Sequence, residues 1–150
     1  RVQNAADGIA GAVACAEGYV GGLFPVILGD NYFFTPPELS EQPCILTKEV
    51  PNPNAFGVLS DSTGLIVEKP TEPIGNKAVL GFYVYDDMVF DYIRKLEKSE
   101  RGEYEITDVN NRYLIDHGMD ICEYNSPWLD MGSFDGLQQA SILEKGKYGI

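Results

Sequence analysis

The 150-residue chain has the length of one domain, and a chain of this size buries roughly 68–70% of the surface that its unfolded form exposes. Its hydrophobic fraction of 44% and charged fraction of 23% are those of a folded globular protein and exclude a disordered chain. The formal net charge of −12 argues against a nucleic-acid partner, because a phosphate backbone requires clustered cations. A small phosphorylated substrate remains compatible with this charge, since one metal ion and a few local cations can hold it.

Cys15, Cys44 and Cys122 are odd in number and lack the short paired spacing of a zinc site. We interpret them as reduced, mostly buried thiols of a cytoplasmic protein rather than as redox or metal-binding groups. No apolar run approaches the ~18–20 residues of a membrane span, so no membrane partner is expected.

The first predicted elements are a helix and a buried strand. Residues 7–19 carry apolar side chains at helical spacing, and Asp7 is placed to cap the first turn. Residues 24–28 form a continuous apolar run that ends at Gly29, as is typical of a buried strand. Asp30 therefore follows the carboxyl end of a strand, which is where open α/β sheets bind their ligands.

The middle of the chain predicts more strands. Residues 44–47 are apolar, and residues 56–59 and 65–68 indicate a hairpin around a four-residue turn. Residues 78–85 alternate and carry two aromatic side chains, which favours a strand.

The last third of the chain alternates helical and extended patterns. We predict an amphipathic helix over residues 88–96, a helix over 105–116 that ends near Gly118, a strand over 120–124 and a closing helix over 134–145. Strands and helices interleave throughout, which indicates a layered α/β fold with a mixed sheet.

Two segments at opposite ends of the chain each place one carboxylate beside a glycine after an apolar run. They are Leu28-Gly29-Asp30-Asn31 and Trp128-Leu129-Asp130-Met131-Gly132. Two such carboxylates, brought together in a fold, make a Mg²⁺ site. Taken separately, Gly29-Asp30-Asn31 is also common as an ordinary turn.

Further motifs lie between these two segments. They are Ala55-Phe56-Gly57-Val58, Glu68-Lys69-Pro70, residues 78–86 and the charged and polar run at residues 101–110. Each has a plain structural alternative, namely a hairpin, a solvated charge pair, an aromatic core strand and a helix cap. Their order along the chain is more specific than any one of them.

Taken together, the motifs from Gln3 to about Leu143 resemble the sugar-phosphate nucleotidyltransferases. This resemblance implies a layered Rossmann-like α/β fold with a mixed, mainly parallel sheet that lacks its first strands. Residues 1–150 would then form a single, partial catalytic domain. The implied reaction transfers a nucleotidyl group from dTTP or UTP to a hexose-1-phosphate and releases pyrophosphate.

The resemblance also implies roles for individual residues. Asp30 and Asp130 would bind Mg²⁺ and act in catalysis together with Lys69, which would contact phosphate. The substrate-binding residues would be Gln3 and Gly8 near the base, and Gly57, Glu68, Lys69, Val79, Tyr83 and Glu103 around the sugar. Met131 departs from the family pattern, which more often has threonine there.

The glycine-rich, arginine-containing loop that binds the triphosphate in this family does not occur in the sequence, and the first residue is Arg1 and not Met. We therefore expect a partial catalytic domain that is not competent by itself. The alternatives are a non-catalytic sugar-nucleotide-binding module, or an interaction subunit that pairs with a chain carrying the missing half. Family members also suggest a homo-oligomer.

Overall fold

The computed structural model describes residues 2–3 and 5–148. A 3-10 helix spans Pro53–Ala55. The other elements follow in chain order: α1 (Gly8–Ala14), β1 (Phe24–Ile27), β2 (Asn31–Phe33), β3 (Cys44–Glu49), β4 (Gly57–Leu59), β5 (Ile66–Glu68), β6 (Lys77–Tyr85), α2 (Met88–Arg94), α3 (Ile106–Asp116), β7 (Asp120–Glu123), β8 (Trp128–Asp130) and α4 (Phe134–Tyr148).

The main sheet has six strands and is organised around β6. Its order is β5-β4-β6-β3-β7, with β1 also paired to β6. Because β3 occupies one edge of β6, β1 and β4 follow one another along the other edge. β1 pairs with Phe82–Tyr85 and β4 with Lys77 and Ala78, so the stretch of β6 between them has no strand beside it on that edge.

The two faces of β6 separate the core into two clusters. Tyr83 and Tyr85 pack with α1, α2 and α3 on one face. Leu80, Phe82 and Val84 pack on the other face with Tyr124 and with residues of β2 and β8. This division follows from the alternation of side chains along a strand, which the sequence pattern predicted.

A second sheet of two antiparallel strands, β2 and β8, covers the face opposite the helices. β2 was not predicted from the sequence, and β8 was predicted only as a short apolar step. Three-residue strands carry too little periodic signal to be recognised locally, and these two pair across nearly 100 residues of chain.

The predicted mixed α/β class is confirmed, but the expectation of a mainly parallel sheet is wrong for the described strands. In the main sheet, β3 and β7 are the one parallel pair among the described residues, and the other pairings are antiparallel. The physical reason is that β6 lies between neighbours that all run opposite to it. The expectation rested on family resemblance, and the local sequence pattern does not report strand direction.

The first helix is shorter than predicted. α1 ends at Ala14, and the chain then turns through Gly18, which has φ +77°. Asp7 precedes the helix but makes no side-chain capping bond. Its carboxylate instead pairs with Lys98, and its carbonyl accepts the Tyr104 N–H at 2.9 Å, so tertiary contacts replace the predicted cap.

The later elements agree better with the predictions. The hairpin turn is closed by a hydrogen bond from Ser60 N to Leu65 O at 2.8 Å, with Gly64 at φ +69°. α3 ends at Asp116, and Gly118 adopts φ +73° as expected of a helix C-terminus. No helix among the described residues is both long and apolar enough to cross a membrane.

The three cysteines are free thiols, and the prediction that they are mostly buried holds for one of them. Cys44 is buried, whereas Cys15 and Cys122 are half-buried. Burial, followed by the proximity of Cys122, raises the pKa of the Cys44 thiol to about 11. Cys44 therefore stays protonated at neutral pH and behaves as a small apolar core residue.

Replacement of Tyr85 by Phe tests the core hydrogen bond beneath the sheet. The fully buried Tyr85 hydroxyl donates to Asn110 Oδ1 at 2.6 Å, so the variant leaves a buried acceptor unpaired. We expect the free energy of unfolding to fall by about 1–3 kcal/mol, measured by urea denaturation. Tyr113→Phe is the control. It removes a hydrogen bond to the Asp86 carboxylate, which is half-buried and can be hydrated in its place. A larger decrease in the free energy of unfolding for Tyr113→Phe than for Tyr85→Phe would contradict this account.

Candidate active site

A cavity of about 220 Å³ opens where β6 lacks a neighbouring strand between β1 and β4. Its walls come from β6, from the β4–β5 hairpin, from the start of α3 and from the ends of β2 and β8. Most of the residues predicted to form a site line it: Asp30, Gly57, Glu68, Lys69, Val79, Tyr83 and Asp130.

The two predicted carboxylates are brought together by the pairing of β2 with β8. Asn31 is the register partner of Asp130, and the Met131 N–H donates to the Asp30 carbonyl at 2.7 Å. A Cβ built on Gly132 would lie 3.0 Å from Asp130 Oδ1 and 3.2 Å from Asp30 Oδ2. One side chain oxygen of each carboxylate therefore faces the same small space above Gly132.

The charges of the cavity are unbalanced. Its charged lining residues are Asp30, Glu68, Asp130 and Lys69, which are three carboxylates against one ammonium group. Such a cavity would repel a phosphorylated ligand unless a cation entered with it. No cluster of three or more potential metal-binding side chains occurs among the described residues.

Glu68 is oriented by its neighbours in the hairpin and in α3. Its Oε2 accepts a hydrogen bond from the Thr107 hydroxyl at 2.8 Å, and Arg101 lies 3.9 Å from its Oε1. A Cβ on Gly57 would come within 3.3 Å of Glu68 Oε2 and 3.2 Å of Ile66. The absence of a side chain at Gly57 thus keeps the carboxylate accessible from the cavity.

Lys69 adopts a backbone conformation that is unfavourable for residues other than glycine. It is the one non-glycine residue of the described chain with positive φ, at +44°, and it precedes a proline. Its N–H donates to Phe56 O at 2.9 Å, which holds this conformation. None of the ion pairs between described residues involves Lys69. Strained residues of this kind concentrate at functional sites.

The floor of the cavity is the face of β6 that carries Val79 and Tyr83. Burial, followed by the negative charges of Glu68 and Asp30, raises the pKa of the Tyr83 hydroxyl. The hydroxyl therefore stays protonated and can donate a hydrogen bond at neutral pH. Tyr83 also stacks on Tyr85 with ring centroids 5.7 Å apart, which fixes its ring.

Three predicted site residues lie outside this cavity. Gln3 Nε2 donates to the Gly8 carbonyl at 3.1 Å, and a Cβ on Gly8 would come within 3.0 Å of the Glu103 side chain. Gln3, Gly8 and Glu103 therefore form a separate group at the start of α1. Ile9, the residue after Gly8, joins this group to the cavity wall.

Several residues that form the site were not among the predicted site residues. Asn31, Phe56, Thr107 and Trp128 all line the cavity, and the Phe56 and Trp128 rings meet edge to face at 5.5 Å. A helix cap was the structural alternative for residues 101–110, but within this run the Thr107 hydroxyl donates to Glu68. The local signal was present, since Asn31 follows Asp30 and Trp128 lies two residues before Asp130. Their partners, however, lie far away in the sequence.

Comparison with known proteins shows the family of this chain. A family model described as nucleotidyl transferase matches residues 1–145. A glucose-1-phosphate thymidylyltransferase of Mycolicibacterium smegmatis is 39% identical to this chain over 93% of its length. The chain belongs to the nucleotidyl transferase family. It spans about half the length of the curated relatives that it matches, with 54% of the M. smegmatis protein covered.

Other family members extend the comparison. The bifunctional protein GlmU of Methanocaldococcus jannaschii is 36% identical over 97% of this chain, which covers 36% of that protein. A solved structure from Bacillus anthracis, assigned as a glucose-1-phosphate thymidylyltransferase and bound to sucrose, has a TM-score of 0.82 at 38% identity. The match covers 95% of this chain and 63% of that chain. An apo UDP-glucose pyrophosphorylase aligns with a TM-score of 0.86 at 21% identity over 97% of this chain and 63% of its own, which supports the Rossmann-like nucleotidyltransferase fold.

Replacement of Lys69 by Gly and by Ala separates backbone strain from charge. Both variants lack the ammonium group, but only Ala keeps a Cβ at φ +44°. We expect Lys69→Gly to be more stable than Lys69→Ala by about 1 kcal/mol, measured by urea denaturation. Equal stabilities of the two variants would show that the backbone at residue 69 is not strained.

Proposed function

We propose that this chain forms the sugar-binding and metal-binding part of a nucleotidyltransferase active site. The reaction transfers a nucleotidyl group from dTTP or UTP to a hexose-1-phosphate and releases pyrophosphate. The observation that carries the proposal is the convergence of Asp30, Asp130, Glu68 and Lys69 in one cavity, although they come from both ends and the middle of the chain. Family membership supports the same reaction class.

The donor set fits Mg²⁺. Mg²⁺ prefers carboxylate oxygens, and it takes one or two carboxylates from the protein while substrate phosphates and water complete its shell. The facing oxygens of Asp30 and Asp130 provide that pair, and the excess negative charge of the cavity favours a divalent cation. When bound there, Mg²⁺ supplies charge neutralisation and alignment of the phosphates.

The residues of the chain have separate tasks in this mechanism. Glu68 and the backbone of Gly57 orient the sugar hydroxyl groups, with the protonated Tyr83 hydroxyl as an additional donor. Lys69 offsets phosphate charge. A phosphate oxygen of the sugar-1-phosphate then forms a bond to the α-phosphorus while the bond from that phosphorus to the pyrophosphate oxygen breaks. Pyrophosphate leaves with the electron pair, and catalysis consists mainly of positioning and charge stabilisation.

We further propose that pyrophosphate release needs triphosphate contacts that these 150 residues do not supply. The described side chains place one ammonium group, that of Lys69, among the cavity residues, whereas a triphosphate carries several negative charges. A glycine-rich loop offers backbone N–H donors for such a group. The chain would then bind Mg²⁺ and sugar nucleotide but turn over only together with the remaining contacts.

A second candidate is association with a complementary chain or with another copy. Within the described residues β1 pairs with β6 alone, so its other edge carries unpaired backbone groups. The side chain of Ile27 on this strand is 58% exposed. Exposed strand edges favour the addition of another strand, which supports an interaction role for this edge.

Ligand-dependent thermal unfolding tests the binding proposal. With Mg²⁺ present, UDP-glucose or dTDP-glucose should raise the unfolding temperature of the chain, because a ligand that binds the folded state stabilises it. Asp130→Asn should lose the Mg²⁺-dependent part of this shift, and Asp120→Asn, which removes an exposed carboxylate on β7, should keep it. Absence of any shift in the original chain would refute the binding proposal. Pyrophosphate release by the chain from dTTP and glucose-1-phosphate would instead refute the need for further contacts.

Replacement of Gly132 by Ala tests the proposed metal position without changing any charge. The added methyl group would lie 3.0 and 3.2 Å from the two facing carboxylate oxygens and would occupy the space between them. We expect Mn²⁺ binding, measured by electron paramagnetic resonance, to weaken by roughly 10-fold, since a small ion tolerates little distortion of its ligands. Gly29→Ala is the matched control, because its methyl group would meet nothing within 4 Å. Unchanged Mn²⁺ binding by Gly132→Ala would place the metal elsewhere.

A further inference from the structure

The side chain of Asn31 makes three hydrogen bonds that connect separate parts of the active site. Its Oδ1 accepts the Gly81 N–H of β6 at 2.9 Å and the Trp128 indole N–H of β8 at 2.8 Å. Its Nδ2 donates to Asp30 Oδ1 at 2.8 Å. One amide group therefore links the central strand, the second sheet and a carboxylate of the cavity.

The orientation of this amide group follows from its partners. The Gly81 N–H and the Trp128 indole N–H can only donate, so the atom facing both must be the amide oxygen. The NH₂ group then necessarily faces the Asp30 carboxylate, which accepts. If the oxygen and nitrogen exchanged places, the NH₂ group would face two N–H donors, and the amide oxygen would face the carboxylate of Asp30, which is also an acceptor.

We propose that Asn31 is a positioning residue that aims the Asp30 carboxylate at Asp130. The hydrogen bond from Asn31 occupies Asp30 Oδ1. The other oxygen, Oδ2, is the one that faces the space above Gly132, opposite Asp130 Oδ1. Asp30 is exposed, so without this bond its side chain could rotate freely. This inference rests on the proposed function, since the value of the orientation is the binding of a metal ion between the two carboxylates.

Gly81 provides the space that this arrangement needs. A Cβ at Gly81 would lie 2.5 Å from Asn31 Nδ2 and 2.6 Å from Asn31 Cγ, closer than atoms can approach. The register between β3 and β6 also shifts opposite this part of β6, between Ile45 and Thr47. The backbone N–H and the small size of Gly81 therefore both support the position of the Asn31 amide group.

A second asparagine provides a matched structural control. Asn111 also makes two side-chain hydrogen bonds to backbone, accepting from Ile66 N and donating to Ile66 O, each at 2.8 Å. These bonds join α3 to β5 and involve neither Asp30 nor Asp130. Loss of Asn111 should therefore destabilise the fold without a direct effect on the two carboxylates.

The experiment compares Mn²⁺ affinity, measured by electron paramagnetic resonance, with unfolding temperature in the full 150-residue chain. The variants are Asn31→Ala, Gly81→Ala, Asn111→Ala and Asp30→Asn. We expect Asn31→Ala to weaken Mn²⁺ binding by about 10-fold or more, the range found when a group that orients a metal ligand is removed. Gly81→Ala should have a similar effect although Asn31 is still present, because the methyl group displaces its amide. Asn111→Ala should lower the unfolding temperature but leave the Mn²⁺ affinity within about 2-fold.

The outcomes separate this inference from the metal proposal. If Asp30→Asn abolishes Mn²⁺ binding while Asn31→Ala and Gly81→Ala bind as the original chain does, the positioning role is overturned. If either of these two variants does not fold, the other one decides. If Asp30→Asn binds Mn²⁺ as well as the original chain, the proposed metal site fails. Crystal structures of the two variants then decide the positioning role: Asp30 Oδ2 turned away from Asp130 supports it, and an unchanged carboxylate overturns it.

Discussion

The candidate active site depends on the pairing of β2 with β8. This two-stranded sheet sets Asn31 opposite Asp130 and joins Met131 N to the Asp30 carbonyl, so that carboxylates 100 residues apart share one space. Closing so long a loop is entropically unfavourable, and three residue pairs cannot offset that cost by themselves. Aromatic contacts beneath this two-stranded sheet contribute the remaining stabilisation, since Phe33 packs against both Phe82 and Tyr124. The site is therefore a product of core packing.

The rest of the cavity shows the same dependence on a rigid support. The strained backbone of Lys69 is held by its bond to Phe56 O, and Glu68 is oriented by a hydroxyl from α3. Tyr83 is fixed by stacking on Tyr85, whose hydroxyl is in turn bonded to Asn110. Each group that would contact a ligand thus has a second contact that limits its motion. Such preorganisation suits a reaction whose catalysis consists mainly of positioning.

Prediction from sequence succeeded where the signal is local. The alternation of β6, the hairpin turn and the end of α3 at Gly118 follow from side-chain periodicity and glycine conformation. It failed where partners are distant: the pattern of α1 did not reveal that Lys98 would bind Asp7, and no periodicity reports that β6 has antiparallel neighbours on both edges. Asp30 and Asp130 were found because each follows an apolar run, whereas Glu68 was identified through the family resemblance. Their supports, Asn31 and Thr107, were not assigned that role.

The sequence by itself determined the layered α/β class, the resemblance to nucleotidyltransferases and the identity of the charged groups, because these depend on composition, local pattern and motif order. The tertiary structure decided which of those groups meet. It brought Asp30 to Asp130 and left Gln3, Gly8 and Glu103 in a separate group. It also selected the oxygen of Asp30 that faces the proposed metal position, through an amide bonded to Gly81 and Trp128. These features arise from hydrogen bonds across roughly 50 and 100 residues of chain, and no local pattern encodes the geometry of such contacts.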